Sequence, residues 1–175
     1  MKKLLILFLL FFCTSLSYSS DIKIKVIIKS VDIISPDGEK RTYEDATKIP
    51  PIAYASKIIA NGMAVLDYYS IDILLKSHQG IFIAKNPITQ KLEFSKVENT
   101  RKGDITVVFN KNIVANVSPD AKFSLKHDPK QECIFMDIID GHAIVKINEV
   151  NFELLAGETF RHELKRGKKN AIQIP

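Results

Sequence analysis

From Asp21 to Phe160 the apolar residues come in short runs, and residues that turn a backbone separate nearly all of them. Ile22, Lys23, Ile24, Lys25 and Val26 alternate with period two, the pattern of a half-buried strand. The β-branched residues continue through Ile27, Ile28, Val31, Ile33 and Ile34 to Ser35, Pro36, Asp37 and Gly38. That group turns the chain because Pro36 presets one dihedral and Gly38 accepts a positive one. A polar stretch from Glu39 to Thr47 leads to Pro50 and Pro51, which exclude a central strand and predict an edge or connector.

Short apolar runs follow at Met63 to Leu66, Ile71 to Leu75, Gly80 to Ala84 and Leu92 to Phe94. After a polar stretch from Val97 to Asp104 come Ile105 to Phe109, Ile113 to Val117, Ala121 to Leu125, Cys133 to Ile139, His142 to Ile147, Phe152 to Leu155 and Glu158 to Phe160. Breakers such as Asn86 with Pro87, Pro119 with Asp120, Asp140 with Gly141 and Ala156 with Gly157 fall between them. No window keeps apolar residues at spacings of three and four over a helix length. The expected fold is therefore all-β, with many short, mostly antiparallel strands in a β-roll or sandwich-like stack.

The amino end reads differently. Lys2 and Lys3 precede an unbroken apolar run from Leu4 to Phe12, and small polar residues follow up to Ser20. This is the layout of a secretory signal peptide. The run is too short to cross a bilayer as a helix, which takes about 20 apolar residues, so cleavage is expected rather than anchoring. Ser17 and Ser19 fit the peptidase's small-residue positions, and a cut after Ser19 leaves a product beginning near Asp21. An uncleaved anchor is the competing reading. Lipidation of Cys13 is disfavoured, because Phe11 and Phe12 stand where a small residue is needed.

The domain plan is thus a leader at 1–20, an all-β body at 21–160, as one unit or as lobes at 21–99 and 104–160, and a basic tail at 161–175. The expected location is the periplasm or the exterior of a bacterial cell, with no membrane span after cleavage. Loss of Cys13 leaves Cys133 alone, so no intramolecular disulfide can form, and its apolar neighbours predict burial.

Without Lys2 and Lys3, 23 basic residues stand against 20 acidic ones, a net of +3. The tail carries Arg161, Lys165, Arg166, Lys168 and Lys169 against Glu163, a net of +4, which leaves the body at −1. Lys165, Arg166, Lys168 and Lys169 could meet an anionic surface such as phospholipid headgroups or an acidic envelope polymer; the alternative is a solvated end. Nucleic acid is not an expected partner, since the tail has no aromatic residue to stack on bases.

No nucleophile elbow, paired-histidine metal helix or phosphate loop occurs. The four histidines, His78, His127, His142 and His162, stand at no ligand spacing, and neither metal nor cofactor is expected. Asp67 with Asp72, or Asp137 with Asp140, could serve as a glycosidase pair if the carboxyls lie roughly 5 to 10 Å apart. The stronger binding signal is Tyr68 and Tyr69 at a predicted hairpin turn, with Tyr54 upstream. Adjacent strand residues point to opposite faces, so one of the pair should be core and the other free to stack on a sugar or anchor a protein.

The stretch Ser56 to Leu75, with its turn at Asn61 and Gly62 and two apolar strands about a polar turn, resembles the central signature of FecR-type domains. The order Val117 to Phe123, Ile138 to Val145 and Leu155 to Glu158 is similar to the carboxy-terminal half of the same family. Tyr69 and Ser70 stand where that family usually has aspartate and glycine. The resemblance spans roughly Val31 to Phe160 and implies an extracytoplasmic all-β module. The best-known members carry a membrane helix and a cytoplasmic sigma-factor regulator. Nothing in this chain matches that segment, so the free-standing exported form is expected: a non-catalytic module that binds a protein or envelope polymer. The alternative is a small envelope hydrolase using a carboxylate pair.

Overall fold

The computed structural model describes residues 21–164, with the backbone of two further strand pieces at 18–19 and 172–173. The expected leader cleavage site, Cys13 and the tail cations Lys165, Arg166, Lys168 and Lys169 lie outside these residues.

The fold is all-β, two antiparallel sheets packed face to face. A short strand β1 (Tyr18–Ser19) precedes β2 (Ile22–Ile28), which enters the first sheet. The chain crosses to the second sheet for β3 (Val31–Ile34) and β4 (Lys40–Tyr43). A 3-10 turn at Ala46–Lys48 and the two-residue β5 (Ile52–Ala53), paired with β1, lead to β6 (Ser56–Ala60) in the second sheet.

From there hairpins alternate between the sheets. β7 (Met63–Tyr68) and β8 (Ile71–Leu75) lie in the first, β9 (Gly80–Lys85) and β10 (Leu92–Lys96) in the second. β11 (Ile105–Asn110) and β12 (Ile113–Val117) return to the first, and β13 (Lys122–Asp128) and β14 (Cys133–Asp140) to the second. β15 (His142–Ile147) and β16 (Val150–Leu155) end the first sheet; β17 (Thr159–Glu163) and β18 (Ile172–Gln173) end the second. Each hairpin pairs with the previous one of its own sheet, so the strand orders are β2-β7-β8-β11-β12-β15-β16 and β4-β3-β6-β9-β10-β13-β14-β17-β18. Both sheets run unbroken past residues 99–104 through the β8–β11 and β10–β13 pairings.

Alternation explains the burial. In β8 the residues Ile71, Ile73 and Leu75 are buried, and Asp72 and Leu74 are not; β12 repeats this with Ile113, Ala115 and Val117. The inward rows meet in one apolar core, where Phe94 stacks on Phe123 at 5.0 Å and Phe109 meets Phe160 edge to face at 5.0 Å. Cys133 is buried as a small hydrophobe.

The crossings are tight. A side chain at Gly62 would collide with the carbonyl oxygen of Ile28, so the β6-to-β7 corner admits only glycine. Buried Gln79 ties the two longer crossings together: its Oε1 accepts from the Lys76 N–H at 2.8 Å, and its Nε2 donates to the carbonyls of Gly103 at 3.0 Å and Asp104 at 3.2 Å.

Two elements depart from the sequence pattern. The apolar run from Ile22 to Ile34 is not one strand; Lys29, at φ +71°, breaks it so that each half joins a different sheet. The polar stretch at Lys40–Tyr43 is a strand, because an edge position needs only backbone pairing on one side and no apolar face. Among the described residues no helix is long and apolar enough to cross a membrane.

Candidate functional site: a tyrosine cluster at a strained hairpin turn

The β7–β8 hairpin has a two-residue loop, Tyr69 and Ser70, with φ of +49° and +68°. Positive φ at both loop positions is the type I′ turn, which matches strand twist and normally selects Asn-Gly. Neither residue here is glycine or asparagine, and a side chain in the left-handed region costs of order 1 to 2 kcal/mol.

The turn divides the two tyrosines as the alternation rule predicts. Tyr68 is 4 % exposed and belongs to the core. Its hydroxyl oxygen accepts the His127 backbone N–H at 3.1 Å. Burial pushes its phenol up to about 12, and the bond from His127 only partly opposes that. Tyr69 is 40 % exposed. Its ring stacks on His127 at 4.0 Å between centroids and meets Tyr68 edge to face at 4.8 Å. Its hydroxyl donates to Asp21 Oδ1 at 2.9 Å. Partial burial and then Asp21 raise the Tyr69 phenol, with Tyr54 contributing through its charge.

Tyr54 completes the group. It is partly buried against the core, with the Lys85 ammonium 5.2 Å from its ring centroid, inside the reach of a cation–π contact. The fold therefore gathers Tyr54, Tyr68 and Tyr69 about a patch that also carries His127, Lys85 and Asp21. The sequence offered no signal for His127 or Lys85, which reach the patch only through the stacking of β13 and β9 in the other sheet.

The acidic pairs have other surroundings. Asp67 and Asp72 face each other across β7 and β8. Lys25 Nζ lies between them, 3.0 Å from Asp67 Oδ1 and 2.7 Å from Asp72 Oδ1. Lys25 sits at a register shift of β2 against β7, between Ile24 and Val26. The carboxylates, Asp72 first and then Asp67, hold its ammonium above the usual range.

Asp137 accepts from Lys91 Nζ at 2.8 Å, Ser124 Oγ at 2.7 Å and Thr159 Oγ1 at 2.7 Å. Burial acts to raise its carboxyl, but these three bonds outweigh it and keep it below the usual range. Asp140 is exposed at the corner before β15, where Oδ1 accepts the Gly141 N–H. Among the described residues no cluster of three or more His, Cys, Asp or Glu side chains is placed to hold a metal ion.

No family model, no curated protein and no solved structure matches this chain.

Proposed function

We propose that this chain is an exported, non-catalytic binding module of the FecR-like kind. In this reading it works in the periplasm or outside a bacterial cell, and the patch around Tyr54 and Tyr69 receives a protein or an envelope polymer. The observation that carries the reading is Tyr69: an exposed aromatic kept in a left-handed turn position, where other residues would fold at lower cost. Its flat face and the Lys85 cation beside Tyr54 suit a sugar ring or an aromatic or acidic protein side chain.

The hydrolase alternative has weaker support. A glycosidase general acid needs a raised pKa, whereas Asp137 is lowered and Asp67 and Asp72 share one ammonium ion. The tail cations Lys165, Arg166, Lys168 and Lys169 add a second, electrostatic contribution to an anionic polymer.

The test uses the chain from Asp21 onward, with cell-wall polymer, soluble polysaccharides and envelope protein extracts as separate probes. Retention on one probe class that falls at least tenfold in Tyr69→Asn supports the reading, and a salt-sensitive further loss on truncation after residue 164 assigns the tail. Retention indifferent to Tyr69, or turnover abolished by substitution of one Asp, overturns it. Export is checked separately by the amino-terminal mass of the protein recovered outside the cytoplasm, which should lack residues 1–19.

A further inference from the structure

The first sheet ends on β16, a six-residue edge strand that among the described residues pairs only with β15. Edge strands in stable monomers are usually short, charged or covered. This one has apolar residues on the face that should be core. Val150, Phe152 and Leu154 share the inward side, opposite Ile147, Val145 and Ala143. Leu154 is 3 % exposed, but Phe152 is 36 % and Val150 55 % exposed, so the facing sheet does not cover the start of the strand.

The backbone of β16 is also open. A two-residue loop joins it to β15, with Ile147 opposite Val150, and the pair closing such a loop is hydrogen-bonded. Val150, Phe152 and Leu154 therefore turn their N–H and C=O toward β15, and Asn151, Glu153 and Leu155 turn theirs outward. At Leu155 the outward groups are already held: its N–H donates to Glu158 Oε2 at 2.7 Å, and its C=O accepts the Glu158 N–H at 3.0 Å. Among the described residues nothing takes the outward donors and acceptors of Asn151 and Glu153.

We infer that β16 is a homodimer interface, at which two copies pair antiparallel across a two-fold axis through Phe152. The edge is complementary to itself when two copies run antiparallel, and strand direction fixes that orientation. The first sheet has seven strands joined by antiparallel pairings, so β2 and β16 run the same way. Head-to-tail growth from β16 onto the partner's β2 would have to pair parallel strands and meet the bulge at Lys25. A two-fold keeps the whole sheet antiparallel, and closed two-fold dimers are the commonest assemblies.

Charge then fixes the register. Only alignments that bring outward-facing residues together make hydrogen bonds. Centring on Asn151 sets Glu149 against the partner's Glu153. Centring on Glu153 sets that carboxylate against its own mate and requires Leu155 groups that Glu158 holds. Centring on Phe152 sets Asn151 against the partner's Glu153, Val150 against the partner's Leu154, and Phe152 against itself in a non-hydrogen-bonded pair. Such a pair has a Cα separation of about 4.5 Å, and aromatic side chains there interact directly. One strand pairing is small against the roughly 1,200 to 2,000 Å² of a standard interface, so dimerisation depends on concentration.

Sedimentation of the chain from Asp21 onward should show a monomer–dimer equilibrium, weakened at least tenfold by Phe152→Glu, which puts two carboxylates on the axis. Glu153→Pro, which removes an outward donor and leaves the β15 ladder intact, should weaken it as well. The register is read by oxidation: Phe152→Cys should give a covalent dimer, since about 4.5 Å lies within the 4.4 to 6.8 Å a disulfide spans. Val150→Cys should not, because its opposite number is Leu154, and the buried Cys133 of the parent chain gives the background. A monomer at all concentrations, equal cross-linking at both positions, or protection of β16 by residues 165–171 of the same chain would each overturn the inference.

Discussion

Replacing Tyr69 by Asn separates a ring kept for folding from a ring kept for binding. The substitution places at φ +49° a residue that tolerates the left-handed region, recovering about 1 kcal/mol of the 1 to 2 kcal/mol that the turn costs. Against this it removes the ring contacts with Tyr68 and His127, each worth about 0.5 to 1.5 kcal/mol. It also removes one exposed hydrogen bond to Asp21, worth about 0.5 kcal/mol. The losses sum to about 1.5 to 3.5 kcal/mol, so after the gain at the turn the net loss should be about 0.5 to 2.5 kcal/mol. Tyr68→Ala, by contrast, empties a core site and should cost about 3 to 5 kcal/mol. Urea denaturation of both variants beside the parent measures the difference directly. A loss of 3 kcal/mol or more in Tyr69→Asn would show that the exposed ring is a structural anchor, and the binding reading would then lose its main support.

Tyr68 also predicts an alkaline weakness. Its phenol is raised from an unfolded value near 10 to about 12, so its contribution is complete below pH 10 and is lost as the pH rises toward 12; at pH 11 the loss is about 1.4 kcal/mol. The Tyr68→Phe variant should lack that difference between pH 9 and 11, and an unchanged slope would refute the assignment. Asp137 acts at the other end: its lowered carboxyl stabilises the fold above the unfolded value near 3.9, and that support disappears as the pH falls through its folded value. In acid titrations followed by circular dichroism, Asp137→Asn should flatten this limb and cost about 1.5 to 3 kcal/mol near pH 7. Gln79→Ala should cost about 2 to 3 kcal/mol by leaving one N–H and two carbonyls of the crossing loops without their partner. Calorimetry showing less than 0.5 kcal/mol would mean that water replaces the amide.

The strands that the sequence announced are those with one buried face. In β8 and β12 the period-two pattern is the burial pattern itself, because each packs one side on the core and turns the other to solvent. The pattern failed where the backbone did what composition does not advertise. Lys29 takes a left-handed conformation without being glycine, and β4 is a strand of Lys, Arg, Thr and Tyr with no apolar face to reveal it. The tyrosine patch was half legible for the same reason. Alternation around the β7–β8 turn separates Tyr68 from Tyr69 locally, but His127 and Lys85 arrive from strands of the other sheet. Which strands stack at that end is a matter of topology that spacing does not encode.

The acidic pairs show how spacing can place residues correctly and still mislead about their chemistry. Asp67 and Asp72 are five apart because they flank a hairpin turn, and that turn does bring them face to face. What lies between them is Lys25, more than forty positions earlier, at the bulge of β2. One ammonium ion between the two carboxylates offsets their mutual repulsion, which is the interaction that would otherwise keep one acid of a pair protonated for catalysis. Lys25→Met tests this. Without the ammonium the two charges face each other across the strands, and like charges directly opposite are destabilising. Urea denaturation near pH 7 should show a loss of about 0.2 to 1 kcal/mol in Lys25→Met, and Asp72→Asn in the same chain should restore it. If Lys25→Met is as stable as the parent, Lys25 is a bystander to the pair and its placement does not offset their repulsion.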